Sequence, residues 1–96
     1  MRHIIEEAIQ NRCYLRFSYK GIARVVQPTA IGVSPAGNEV LRCFQTEGAH
    51  STKGHEWDLC LLSKISGLSV TGKKFDAPPP GYNRGDKAFV KIYAEL

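Results

Sequence analysis

Arg42 stands between Val40 and Phe44 in a segment of period two, with Leu41 and Cys43 at the alternate positions, so neither side of that strand is cleanly polar. Its placement decides what chemistry the chain offers. With Leu41 and Cys43 facing a core, Val40, Arg42 and Phe44 form an exposed basic and aromatic strip that stacks a base and neutralises a phosphate. With the faces reversed, Arg42 lines an internal pocket and needs an anion or a carboxylate beside it. A plainer arrangement lays its methylene stem over apolar surface. Arg16, Arg24 and Lys64 lie on other predicted strands or their ends, where a barrel would bring them near Arg42 and a flat solvated face would leave them scattered. Tyr19, Phe44 and Trp57 offer ring faces for stacking, Tyr19 foremost, although aromatics at strand spacing also fill cores.

Other chemistries find little support. His50 and His55 have only Glu56 and Asp58 nearby at ligand spacing, so no metal site is expected, and no cofactor. Lys53, His50 and His55, with Lys73 and Lys74, would at most extend an anion-binding surface. The sequence contains no glycine-rich phosphate loop, nucleophile elbow, paired acids or histidine–cysteine dyad, which points away from an enzyme. Arg84-Gly85-Asp86 reads as a turn. Cys13, Cys43 and Cys60, without CxxC spacing and flanked by Tyr, Leu or Phe, suit buried reduced thiols and a cytoplasmic location. The net charge of +4 favours anionic partners mildly. Apolar runs such as Leu59 to Leu62 are far short of a membrane span.

The elements that position these residues follow from periodicity. Ile4, Ile5, Ala8 and Ile9 recur at helical spacing, closed by Asn11-Arg12. From Tyr14 the period becomes two, with Leu15, Phe17 and Tyr19 on one side, up to a tight turn at Lys20-Gly21. Ile22 to Gln27 returns, Pro28 interrupts, and Thr29 to Val33 continues to a turn at Ser34-Pro35-Ala36-Gly37 with a left-handed glycine. Glu39 to Gln45 is the next strand, and Thr46 to His55 a long surface loop. Trp57 to Leu62 reads as a strand buried on both faces, and Leu68 to Thr71 as a short one between Gly67 and Gly72. Ala77-Pro78-Pro79-Pro80-Gly81 cannot extend a ladder and should run as polyproline over the surface. The end, Phe89 to Leu96, alternates like a strand but also repeats like a helix after Asp86; the strand is favoured. With 96 residues this makes one mainly β domain, a small bent-sheet barrel over residues 1–76 with one short N-terminal helix, and a C-terminal extension over 77–96.

The order of these motifs resembles the WYL domain of bacterial transcription regulators, whose barrel is similar to Sm and Src-homology-3 small barrels. The resemblance covers roughly residues 4–76. Ala8-Ile9 matches an opening helix, Phe17-Ser18-Tyr19 a strand ending in tyrosine, and Arg24 through Pro28 the following Arg-x-x-x-Pro. The namesake Trp-Tyr-Leu falls on Glu39-Val40-Leu41, where only the leucine is kept. Cys60 to Ile65 takes the place of Phe-Arg-Leu-Asp-Arg-Ile, with lysine for its second arginine at Lys64, and Ser66 to Phe75 looks like the closing strand. The resemblance implies a divergent, stand-alone member without a helix-turn-helix: a non-enzymatic module binding nucleic acid or a nucleotide-like anion in bacterial transcription or defence regulation. Arg24, Arg42 and Lys64, with Arg16, would contact phosphate, and Tyr19 or Phe44 would stack. The alternative is a protein-interaction or homodimerisation module using the apolar tail from Phe89 to Leu96 to add a strand to a partner.

Overall fold

Alternating apolar side chains and tight turns build, among the described residues, six antiparallel strands behind one helix. The computed structural model describes residues 1–48 and 56–96. Helix α1 (Arg2–Asn11) buries Ile5, Ala8 and Ile9, while Ile4 lies off that stripe and is exposed. Arg12 ends the helix in the left-handed conformation at φ 54°, and its carbonyl accepts from Phe75 N–H at 2.9 Å, tying the helix exit to the far end of the sheet.

Strand β1 (Cys13–Tyr19) points Cys13, Leu15, Phe17 and Tyr19 inward, as its period requires. Lys20 and Gly21, at φ 53° and 73°, turn the chain into β2 (Ile22–Val33). Pro28 does not break β2 as expected. The register with β3 (Glu39–Gly48) shifts between Pro28 and Ala30, so the residue that lacks an N–H sits beside a bulge. Thr29, in the bulge, donates its hydroxyl to Arg42 O at 3.0 Å. The Ser34 to Gly37 turn forms as expected, with Gly37 at φ 86°. Strand β3 is longer than its apolar run: Glu47 and Gly48 pair with Val25 and Arg24, which removes Thr46 to Gly48 from the expected loop. The remainder of that loop, with His50, Lys53 and His55, lies outside the described residues.

Strand β4 (Trp57–Leu61) pairs only with β3, so Cys60 alone is fully buried and the expected burial on both faces is not found. A 3-10 turn, Leu62–Lys64, leads into β5 (Ile65–Lys74), which runs well beyond Leu68 to Thr71. Gly67 and Gly72 do not bound this strand. They sit inside it at φ 63° and 81°, where its register with β1 slips, and so serve as bulges. The sheet order is β4-β3-β2-β1-β5, and no ladder joins β4 to β5 among the described residues, so the sheet is not closed into a barrel.

The tail ends as strand β6 (Lys91–Glu95), not as a helix. It completes an edge of β2: β1 covers Ile22 to Val26, and β6 covers Ala30 to Val33. The strand that the alternative reading would add to a partner pairs here with β2 of its own sheet. Gly32 allows this crossing, since a Cβ there would meet Lys91 O and Ile92 Cα. The core lies between α1 and the inner face of the sheet, where Ile5, Ile9, Leu15, Phe17, Ile31 and Leu41 are fully buried. The three cysteines are free and buried. Cys43 and Cys60 are neighbours there, and the thiol of Cys43 is pushed well above its ordinary pKa by its hydrogen bond with Cys60 and by burial. No described helix is long and apolar enough to cross a membrane.

A candidate anion-binding cleft

Strand parity sends the two central arginines to opposite sides of the sheet. Leu41 and Cys43 face the core, so Arg42 and Phe44 project from the outer face. The connector and tail cross this outer face and are pinned to it. Gln27 donates its side-chain amide to Ala77 O at 3.3 Å, and Trp57 donates Nε1–H to Pro80 O at 2.9 Å. The polyproline segment is therefore docked, with Pro79 buried. Between it and the sheet lies a cleft of about 480 Å³, lined by Thr29, Arg42, Trp57, Tyr82, Arg84 and Lys87 among others.

Each wall has an identifiable support. The Trp57 ring stands edge-on to Phe44, with centroids 5.4 Å apart and planes at 75°. Tyr82 donates its hydroxyl to Leu96 O at 2.7 Å; burial, with the negative charge of Glu95, raises its pKa and keeps it a donor at neutral pH. Gly81 and Gly85, at φ 80° and 70°, let the segment between them fold back over the sheet. Glu95 of β6 holds that segment, accepting Gly85 N–H at 3.1 Å and the Arg84 guanidinium at 3.3 Å.

Arg42 is already engaged. Its Nε donates to Asp86 Oδ2 at 2.6 Å and its Nη2 approaches Oδ1 at 3.5 Å, while Ala88 N–H donates to the same Oδ1 at 2.9 Å. Burial works to raise the pKa of Asp86, but the hydrogen bonds from Arg42 and Ala88 and the charge of Arg42 outweigh it, holding the carboxyl below its ordinary value. Three cations and one carboxylate line the cleft, Arg42 paired with Asp86 and Arg84 with Glu95.

The other expected residues are not gathered here. Arg24 is buried on the core side, where it donates to Asp58 Oδ2 at 2.8 Å and to Tyr19 O at 3.3 Å. Tyr19 is buried beneath it, 4% exposed, and its hydroxyl accepts Leu61 N–H at 3.1 Å, so it presents no stacking face. Their period-two placement beside Phe17 sends both inward. Val40 is also buried, which leaves no exposed strip of Val40, Arg42 and Phe44. Phe44 supports Trp57 from behind and does not line the cleft. Arg16 projects from β1 into a separate cleft of about 360 Å³, with Tyr14, Thr46, Glu47 and Lys73. Lys64 is exposed at the end of the 3-10 turn. The residues that sequence reasoning passed over are Tyr82, Asn83, Arg84 and Lys87. Their signal was the crowding of an aromatic, an amide and cations around two glycines after the proline run.

Compared with protein-family models, curated proteins and solved structures, the chain matches none.

Proposed function

We propose that this chain is a non-enzymatic, WYL-like small-barrel module of bacterial transcription or defence regulation, acting in the cytoplasm, which holds a nucleotide-like anion in the cleft over β3 and β4. The observation that carries this reading is the convergence of two aromatic rings, Trp57 and Tyr82, with Arg42, Arg84 and Lys87 around about 480 Å³. That volume falls in the usual range of small-ligand pockets. The rings suit a base, and the guanidinium and ammonium groups suit a phosphate. Asn83 adds amide hydrogen-bonding capacity at the rim. The carboxylate lining the cleft, Asp86, is held ionised by Arg42, which favours binding over acid–base chemistry. Two further features support the small-barrel reading. The strand path β4-β3-β2-β1-β5 has its edge strands joined by one short turn, and the ordered motifs from Ala8 to Phe75 resemble the family's.

Trp57 is the chain's one tryptophan, so its fluorescence reports on this cleft. Titration with adenosine 5′-monophosphate, ribose 5-phosphate and short single-stranded oligonucleotides at about 50 and 200 mM salt should show saturable, salt-sensitive quenching by the nucleotide. Ribose 5-phosphate should bind more weakly and quench less. The Arg84→Ala/Lys87→Ala variant should lose binding by about tenfold or more while keeping its fold. An unchanged Trp57 signal with every probe at both salt concentrations would overturn the reading.

A further inference from the structure

The Asp86 carboxylate contacts Arg42 as a bound anion would. It takes Nε–H with one oxygen and faces Nη2 with the other, the side-on fork by which arginine receives carboxylates and phosphates. The pair is covered but not sealed, with side-chain exposures of 26% for Arg42 and 20% for Asp86, and both residues line the cleft. The two halves of this pair are mounted differently. Arg42 belongs to a strand laddered on both edges, to Ala30 of β2 and Leu59 of β4. Asp86 lies in an irregular stretch between β5 and β6. Gly81 and Gly85, both at positive φ, precede it, and β6 anchors the chain beyond it. Local bonds hold it there: its own Oδ1 with Ala88 N–H, its carbonyl with Phe89 N–H at 3.2 Å, and Glu95 with Gly85. A swing of the carboxylate off Arg42 would turn the chain at Gly85, outside the β2–β6 ladder.

We infer that Asp86 is a built-in competing anion: it occupies Arg42 in the free protein, and a phosphate-bearing ligand gains Arg42 only by displacing it. The inference rests on the proposed anion-binding role of the cleft and adds how that site is regulated. Affinity in the unmodified chain is lowered by the strength of the internal pair.

The test follows the Arg42 Nε–H and Trp57 indole N–H signals of the ¹⁵N-labelled chain by NMR. The unmodified protein, Asp86→Asn and Asp86→Glu are each titrated with inorganic pyrophosphate and with adenosine 5′-monophosphate. Asparagine keeps the shape and the acceptor for Ala88 N–H but removes the competing charge, and the rest of the amide spectrum verifies the fold. Asp86→Asn should bind pyrophosphate about tenfold more tightly than the unmodified protein, and Asp86→Glu should stay within about threefold of it. Saturated complexes of the unmodified chain and Asp86→Asn should share one Arg42 Nε–H position. Equal affinities for the unmodified chain and Asp86→Asn overturn the inference, and if the nucleotide still binds they leave the nucleotide reading standing. A tenfold gain for pyrophosphate without added affinity for the nucleotide or movement of Trp57 upholds the competing anion and overturns the nucleotide reading. Absence of binding by either probe to any variant overturns both.

Discussion

Two arginine–aspartate pairs, Arg24 with Asp58 and Arg42 with Asp86, lie on opposite sides of one sheet and have nearly the same contact distance, 2.8 and 2.6 Å. Their settings differ. Both members of the first come from strands, Arg24 also holds the Tyr19 carbonyl, and its guanidinium lies 5.3 Å from the Tyr19 ring centroid. The second joins a strand to an irregular tail segment. A strand-to-strand pair moves only when the sheet does, whereas a strand-to-tail pair breaks at the cost of a local rearrangement. Arginine–carboxylate chemistry alone therefore does not mark a binding site; what differs is the carboxylate's mounting, on a strand at Asp58 and on an irregular stretch at Asp86.

The strongest way to break this contrast is Gly32→Ala. The added Cβ would meet Lys91 O and come within 2.9 Å of Ile92 Cα and the Phe89 ring, two of the three being backbone atoms. The tail must then lift from β2, with an expected loss of about 3 kcal/mol. Hydrogen exchange should show Ala30 to Val33 and β6 deprotected, with the Arg24 side of the sheet still protected. Next, Arg24→Ala should cost about 2–3 kcal/mol in denaturant unfolding: it strips a nine-tenths buried cation from its partners, and the 38% exposure of Asp58 keeps the loss at the lower end for a buried pair. Arg42→Ala should cost only about 1 kcal/mol, because the guanidinium is 26% exposed and Asp86 keeps its bond from Ala88 N–H when the arginine is gone. Equal losses for the two alanine variants would dissolve the distinction.

The smallest effect is in pH. The pKa of Asp86 is lower in the folded chain, so its contribution is fully present above the unfolded carboxylate value of about 3.9 and is lost as the pH falls through the lower folded value. NMR signals of residues 81–88 should shift over that acidic range in the unmodified chain. In Arg42→Ala they should shift nearer the ordinary carboxylate value.

Much of the fold was legible because it rests on local rules. The inward set Leu15, Phe17 and Tyr19, the turns at Lys20-Gly21 and Gly37, and the strand at the chain's end all follow from period two and glycine geometry. The length of β5 was not legible, because Gly67 and Gly72 look like strand ends and act as bulges. Pro28 misled in the same way. The candidate site was legible at Arg42 and partly at Trp57. The two alternatives for Arg42 merged: Leu41 and Cys43 do face the core, yet Arg42 lines a pocket with a carboxylate, because the tail covers the outer face. A partner supplied from 44 positions away, Asp86, leaves no trace in the pattern of β3 itself.

The division of one edge of β2 between β1 and β6 carries a consequence for a shortened copy of the molecule. A chain cut before Lys91 keeps the residues of β1 to β5 and those that line the cleft. Such a chain lacks Glu95, the side chain that holds Arg84 and Gly85 over the sheet. Under the proposed anion-binding role, a copy clipped before β6 would keep β1 to β5 and hold the anion more weakly.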